Sequence, residues 1–226
     1  ALVAAFGIPA IRIDPWEADD VCATLVALEE AAGGHALVLT HDRDAFQLAS
    51  PQTTIVRPLS GMSETELVDP AGVVERYGVT PQQVPDLIAL RGDPSDNIPG
   101  ARGIGQKTAA EVLQQYGDLE GVLGAADTLQ PERFREQVKA EAVRIRGNLK
   151  LVTFQTDFEF SPGQPVAEDI VGVEAFLSEM EMHSTLRRYQ SKHGRGSTVP
   201  EPPAPLSEAP KPKIKPPADA QQGELF

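Results

Sequence analysis

Seven carboxylates stand in three tight groups along the chain: Glu17, Asp19 and Asp20; Asp42 and Asp44; Asp93 and Asp96. Grouped carboxylates repel one another unless positive charge lies among them, and hard cations such as Mg²⁺ take oxygen ligands. Two such ions close together need several carboxylates from different segments to offset their charge. Metal-assisted hydrolysis is therefore one chemistry the set could serve. Each group also has a plainer reading. Acidic residues in a first helical turn complement the helix dipole, and the other two groups could be turns in which an Asp side chain bonds nearby backbone.

The elements around the groups decide where they sit. Trp16 to Glu30 carries Val21, Leu25 and Leu28 at helical spacing, so Glu17, Asp19 and Asp20 open a helix that Gly33-Gly34 ends. Asp42 and Asp44 directly follow Ala36 to Thr40, an apolar run suited to a buried strand. Functional groups of open α/β sheets collect at the carboxyl ends of strands, and two-residue spacing in extended backbone would point both side chains the same way. Asp69-Pro70 and Thr80-Pro81 each pair a capping residue with Pro at the first helical position, which places helices over about 70–77 and 81–91. Asp93 and Asp96 follow the second of these.

The remaining segments frame this core. Ala1 to Phe6 reads as a helix end stopped by Gly7, and Ile8 to Ile13 as an extended segment. Thr53 to Arg57 and Glu64 to Val68 read as a hairpin about Ser60-Gly61. Helices are expected over Gln106 to Tyr116, after Asp118 and over Pro131 to Asn148, then a strand over Leu149 to Phe154 and two helices over Val173 to Met180 and Ser184 to Gln190. Thr198 to Ala220 is rich in Pro, Ala, Glu and Lys and reads as a disordered tether.

Composition narrows the class. A chain of 226 residues holds one ordinary domain and a tail. No stretch approaches the roughly 18 unbroken apolar residues of a membrane-spanning helix. The single cysteine, Cys22, cannot form an internal disulfide, so a soluble, cytoplasmic monomer with no membrane partner is expected. A net charge of −13 argues at first against a nucleic-acid partner. Metal cations gathered by an acidic site would reverse the local field and answer that objection.

Gly103-Ile104-Gly105-Gln106-Lys107-Thr108-Ala109 is a glycine turn opening a helix. Glycine lets backbone approach a phosphate, and the N–H groups of a helix start bind anions, although a lone GxG is more often only a tight turn. Arg133, Arg135, Lys139, Arg144 and Arg146 alternate with glutamates and read as a solvated face rather than a DNA track.

The three acidic groups lie in Trp16-Glu17-Ala18-Asp19-Asp20, in Thr40-His41-Asp42-Arg43-Asp44-Ala45-Phe46-Gln47-Leu48 and in Gly92-Asp93-Pro94-Ser95-Asp96-Asn97-Ile98-Pro99-Gly100. In that order they resemble the motifs of the 5′ nuclease family of flap endonuclease type, also found at the front of bacterial DNA polymerase I. The resemblance implies a PIN-like α/β fold with a parallel-sheet core, a helical helix-three-turn-helix DNA-binding subdomain and a disordered tail. It also implies that all seven carboxylates surround two divalent ions, Mg²⁺ or Mn²⁺, with Asp42, Asp44, Asp93 and Asp96 catalytic. Gly103, Gly105, Lys107 and Thr108 would contact DNA phosphate, with K⁺ at the 103–108 hairpin. His41 stands where the family has a small residue and is given no role.

The implied activity is structure-specific 5′-3′ exonuclease and flap endonuclease cleavage of DNA, in primer removal and repair. The implied parts are residues 1–68, the C-terminal part of the catalytic core; 69–192, the helix-three-turn-helix and following helices; 193–220, a Pro-rich linker; and 221–226, a peptide whose Gln222, Leu225 and Phe226 resemble a sliding-clamp-binding motif. The family's domain begins upstream of the match, with further metal-binding Asp residues and a helical arch. The chain is thus expected to be either an incomplete record of a full nuclease, favoured by its start in mid-helix without Met, or a short DNA-binding module tethered to the clamp. A PIN-type ribonuclease is a further rival that the hairpin disfavours.

Overall fold

A computed structural model of the protein describes residues 1–60, 64–130, 132–156, 158–159 and 166–193. It divides into two compact units: one of residues 10–164, and one joining residues 1–9 to the chain from 165 onward.

The chain opens with a short helix α1 (Leu2–Ala5) of the second unit. The first unit begins in irregular backbone, since residues 8–13 pair with no strand and the expected extended segment forms no ladder. Helix α2 (Ala18–Ala31) then leads into strand β1 (Ala36–Leu39). Strand β2 (Thr53–Ser60) pairs parallel with β1 and antiparallel with β3 (Glu64–Val68). The expected hairpin is present, and Gly61 of its turn lies outside the described residues. The sheet is mixed rather than purely parallel among the described residues. Val38, Ile55 and Val68 stand in register across it and are all buried, while Leu37, Leu39 and Leu67 are exposed. Alternation along each strand sends one row of side chains into the core.

Helix α3 (Pro70–Tyr77) starts where Asp69 accepts from the Gly72 N–H at 2.8 Å and stops at Gly78 in the left-handed region. The span expected as one helix over 81–91 is a 3-10 turn (Pro81–Gln83) followed by α4 (Val84–Arg91), because Pro85 interrupts the helical N–H ladder. Residues 84–90 of α4 are all buried, so it is the central helix of this unit. A two-stranded ribbon follows, β4 (Gly92–Asp93) against β5 (Ile98–Pro99). Helices α5 (Gln106–Tyr116), α6 (Leu119–Gly124) and α7 (Arg133–Val152) complete the unit.

The strand expected over Leu149 to Phe154 is not one, for α7 runs on to Val152. Burial of Asn148 and Val152 on the helix face that carries Ile145 holds the last turn in helical register. The Asn148 amide donates to the carbonyl oxygens of Ala89 at 3.1 Å and Pro99 at 2.9 Å, tying α7 to α4 and to the ribbon.

In the second unit, helices α8 (Ile170–Glu179) and α9 (His183–His193) bury Val173, Leu177 and Tyr189 against Leu2, Ala5 and Phe6. The Tyr189 hydroxyl donates to Glu168 at 2.7 Å. No described helix is long and apolar enough to cross a membrane.

Asp86 is a charge on the central helix. Burial pushes its carboxyl up to about 6, against a hydrogen bond from the Leu119 N–H and with help from Asp118 and Glu120. A folded-state value above the ordinary 3.8 means that the folded chain holds more protons than the unfolded chain between about pH 4 and pH 6, so this group's contribution falls as pH rises through that window. The expected loss is about 3 kcal/mol. Asp86→Asn keeps an acceptor for Leu119 and should unfold at higher urea than wild type at pH 8, with the advantage gone at pH 4. Parallel stability curves across this range would contradict the assignment.

Candidate functional site

Local hydrogen bonding sets each acidic group. At the start of α2, Asp20 accepts from the Glu17 N–H at 3.2 Å, and its other oxygen accepts from the Gln155 N–H at 2.8 Å. The capping reading therefore holds for Asp20. Asp19, on the same turn, is instead pushed up by burial and then by the charges of Asp42, Glu17, Asp20 and Asp96.

At the end of β1 the turn reading holds and the strand-neighbour reading does not. Asp42 and Asp44 do not share an extended strand: Thr40 Oγ1 accepts from the Asp42 N–H at 2.9 Å, and Asp42 Oδ1 accepts from the Asp44 N–H at 3.0 Å. This turn leads into a 3-10 helix, Asp44–Leu48, leaving Asp42 exposed and Asp44 9% exposed. Gln47, four residues after Arg43, locks the turn from behind. Its Nε2 donates to the carbonyls of Asp44 at 3.0 Å and Val152 at 2.9 Å, and its Oε1 accepts from the Phe154 N–H at 3.3 Å. Gln47 and the backbone of 152–155 are positioning residues that the sequence reading passed over, because their partners lie far along the chain.

The third group sits in the loop closed by β4 and β5. Gly92 has φ +81°, and a Cβ there would lie 2.3 Å from Gly100 N, while one on Gly100 would lie 2.0 Å from Arg91 O. Two backbones cross without side chains, which explains the glycine at each end of this motif. Asp93 accepts from the Ser95 N–H at 2.9 Å and from its hydroxyl, and faces Arg91. Burial raises its carboxyl, but the Ser95 bonds with Arg91 and Arg43 outweigh it and bring the net direction down.

The fold brings all seven carboxylates onto two adjoining clefts. Glu17, Asp19, Asp20, Asp42, Asp44 and Asp96 line one, closed on its far side by residues 150–155. His41, Asp42, Arg43, Asp93, Ser95 and Asp96 line the other, so Asp42 and Asp96 belong to both. Burial, then Asp42, Asp93 and Asp96, push the Asp44 carboxyl up to about 7 against the pull of Arg91. Carboxyls held above their ordinary range by burial and then by one another would be relieved by positive charge. The donor chemistry fits hard divalent cations. Among the described residues no three acidic, His or Cys side chains yet converge tightly enough to hold one, so binding would draw them together.

The hairpin residues form a separate cluster. Gly103 has φ +80°, and Gly105 caps α5 without a side chain to occupy its N–H groups. Lys107 and Thr108 lie in the first turn of α5, with Lys107 almost fully exposed and Glu111 4.0 Å away. Arg135, Lys139, Arg144 and Arg146 pair with Glu132, Asp127, Glu141 and Glu120, as a solvated face would. Gln222, Leu225 and Phe226, with the rest of the tail from residue 194, lie outside the described residues.

Relief of carboxylate repulsion can be measured directly. With chelator present, Asp44→Asn should stabilise the chain at pH 8 by about 4 kcal/mol, and by much less at pH 4. A raised folded-state pKa makes the wild-type contribution fall as pH climbs from about 4 to about 7. Destabilisation at pH 8 would show that Asp44 is held by partners other than its acidic neighbours.

Comparison with known proteins places this geometry. Residues 1–78 match the model of the 5′-3′ exonuclease N-terminal resolvase-like domain, and residues 79–167 that of the 5′-3′ exonuclease C-terminal SAM fold. The thermostable DNA polymerase I of Thermus thermophilus is 39% identical over 213 residues, covering 93% of this chain and 24% of the polymerase. DNA polymerase I of Bacillus caldotenax is 36% identical over 200 residues, 81% of this chain and 22% of that protein. The chain thus spans about a quarter of the length of these relatives. In three dimensions it is similar to the T5 D15 protein co-crystallised with metal ions, with TM-score 0.58 and 23% identity over 64% of this chain and 52% of that one. It is also similar to the catalytic core of Rad2 in complex with a DNA substrate, with TM-score 0.55 and 20% identity over 84% and 66% of the two chains. A mixed α/β resolvase-like part followed by a helical SAM-fold part, with paired acidic clefts, identifies the chain as a member of the 5′-3′ exonuclease family.

Proposed function

We propose that this chain carries the acidic face and the DNA-gripping hairpin of a structure-specific 5′ nuclease, acting on DNA with 5′ ends or flaps in primer removal and repair. The observation that carries the reading is the convergence of carboxylates from three separated segments on adjoining clefts that share Asp42 and Asp96. Glu17, Asp19, Asp20, Asp42, Asp44, Asp93 and Asp96 would hold Mg²⁺ or Mn²⁺, two ions being the number their charge suits. Bound there, such ions polarise a phosphodiester and lower the pKa of water. Asp42 and Asp96 line both clefts, so each would be available to a cation in either. Gln47 keeps Asp44 turned inward through its bonds to Asp44 and Val152. The turn at Gly103 to Thr108 would grip backbone phosphate, which positions a duplex without reading its sequence.

A second reading, a DNA-binding module that does not cut, rests on the 103–108 turn, which forms a cluster separate from the acidic clefts. Cleavage of a 5′-labelled flap DNA separates the two. With Mg²⁺ the chain joined to its upstream coding sequence should release the labelled flap, and Asp42→Asn with Asp44→Asn in that form should slow release by about 100-fold or more, the order of loss seen when electrostatic stabilisation of a transition state is removed. Binding with no release in Mg²⁺ or Mn²⁺ by that form as well as by the chain alone would establish the non-cutting module.

A further inference from the structure

Arg133 was grouped by sequence with the basic face of α7, yet the fold separates it. Arg135, Lys139, Arg144 and Arg146 all pair with carboxylates, whereas neither Arg133 nor Arg102 has a carboxylate partner among the described residues. Both line one cavity of about 320 Å³ with Gly103, Phe134 and Gln137. In a chain of net charge −13, two guanidiniums left unpaired on one cavity are set apart for an anion from outside.

The cavity is built from a fixed frame. The Phe134 ring lies beneath the glycine turn, 3.6 Å from where a Gly103 Cβ would stand, and the Arg133 guanidinium lies over the same ring at 4.8 Å. One ring therefore sets both the turn and the cation beside it. The Arg102 N–H donates to Glu141 Oε2 at 3.0 Å, and Arg144 donates to the Gly100 carbonyl at 3.0 Å, so the backbone before the turn is held to α7 at two points. Glu141, the nearby carboxylate, is occupied by these bonds and by its ion pair with Arg144. The uncapped start of α5 follows two residues after Gly103.

We infer that Arg102 and Arg133 hold a backbone phosphate of duplex DNA in this cavity, extending the grip of the 103–108 turn onto the first turn of α7. The inference rests on the nuclease reading for its ligand. A planar guanidinium offers paired donors matched to phosphate oxygens, and one held over a ring spends little freedom in binding. The site makes Arg133 a DNA-positioning residue, in place of a member of the solvated face.

The test is equilibrium binding of the full chain to flap DNA in Ca²⁺ over a range of salt, with cleavage in Mg²⁺ measured alongside. Arg102→Gln with Arg133→Gln should weaken binding about tenfold and lower the slope of log affinity against log salt by about one, for the single phosphate the pair neutralises. Arg146→Gln removes a charge that is already paired to Glu120 and should leave affinity and slope near wild type. Thermal melting of each variant checks folding, and Arg133→Glu alone should weaken binding more than Arg133→Gln. Wild-type affinity and slope in the double variant would overturn the inference while leaving the nuclease reading in place. Binding without cutting even with the upstream coding sequence restored would remove the nuclease reading and leave this site to be judged by its slope. A wild-type chain that neither binds nor cuts would overturn both.

Discussion

Mutual repulsion among carboxylates is the constraint around which the first unit is arranged. Asp19 and Asp44 are both pushed up by burial and by acidic neighbours from other segments. Such a cluster works against folding unless the rest of the structure holds it. The holding is done mostly by backbone. Asp42 is fixed by Thr40 and in turn fixes Asp44, Gln47 fastens that turn to the end of α7, and Gly92 and Gly100 cross to close the loop that carries Asp93 and Asp96. Stability supplied by the buried row Val38, Ile55 and Val68 and by the central helix α4 offsets a site that is costly by itself.

The same division explains how an acidic chain can be built for a nucleic acid. Negative charge is concentrated on the paired clefts, while the hairpin presents uncapped N–H groups at α5 and unpaired cations on a cavity of their own. Most basic residues of α7 are spent on internal ion pairs, which are weak contributors at exposed positions but keep the helix face neutral. Net charge is thus a poor guide to the local field.

Elements governed by local chemistry were legible in the sequence. Asp69-Pro70 starts α3 as read, within the expected span of about 70–77, and the apolar spacing of Gln106 to Tyr116 gives α5 its observed limits. The three acidic motifs marked the site because their residue types and order are unusual. Elements set by distant partners were not legible. Leu149 to Val152 has the apolar, β-branched look of a strand, but Asn148 bonding to Ala89 and Pro99 keeps it helical. Asp42 and Asp44 could be read either as strand neighbours or as a turn, and the local residues alone did not choose; the Asp42 side chain capturing the Asp44 N–H settles it as the turn. Gln47 went unassigned since its partners are Val152 and Phe154, more than a hundred positions away. Arg133 and Arg146 are alike in sequence, and only the fold leaves one paired and the other facing the hairpin.

The central claim is that the clefts are short of cations and will take divalent ones. Manganese binding to the chain, followed by the loss of the free Mn²⁺ paramagnetic resonance signal at pH 8 and pH 6, tests it most directly. The account predicts saturable binding that tightens from pH 6 to pH 8, as carboxyls such as Asp44 give up their protons, and that weakens markedly in Asp19→Asn with Asp96→Asn. No saturable binding at pH 8, or binding unchanged by those substitutions, would contradict it.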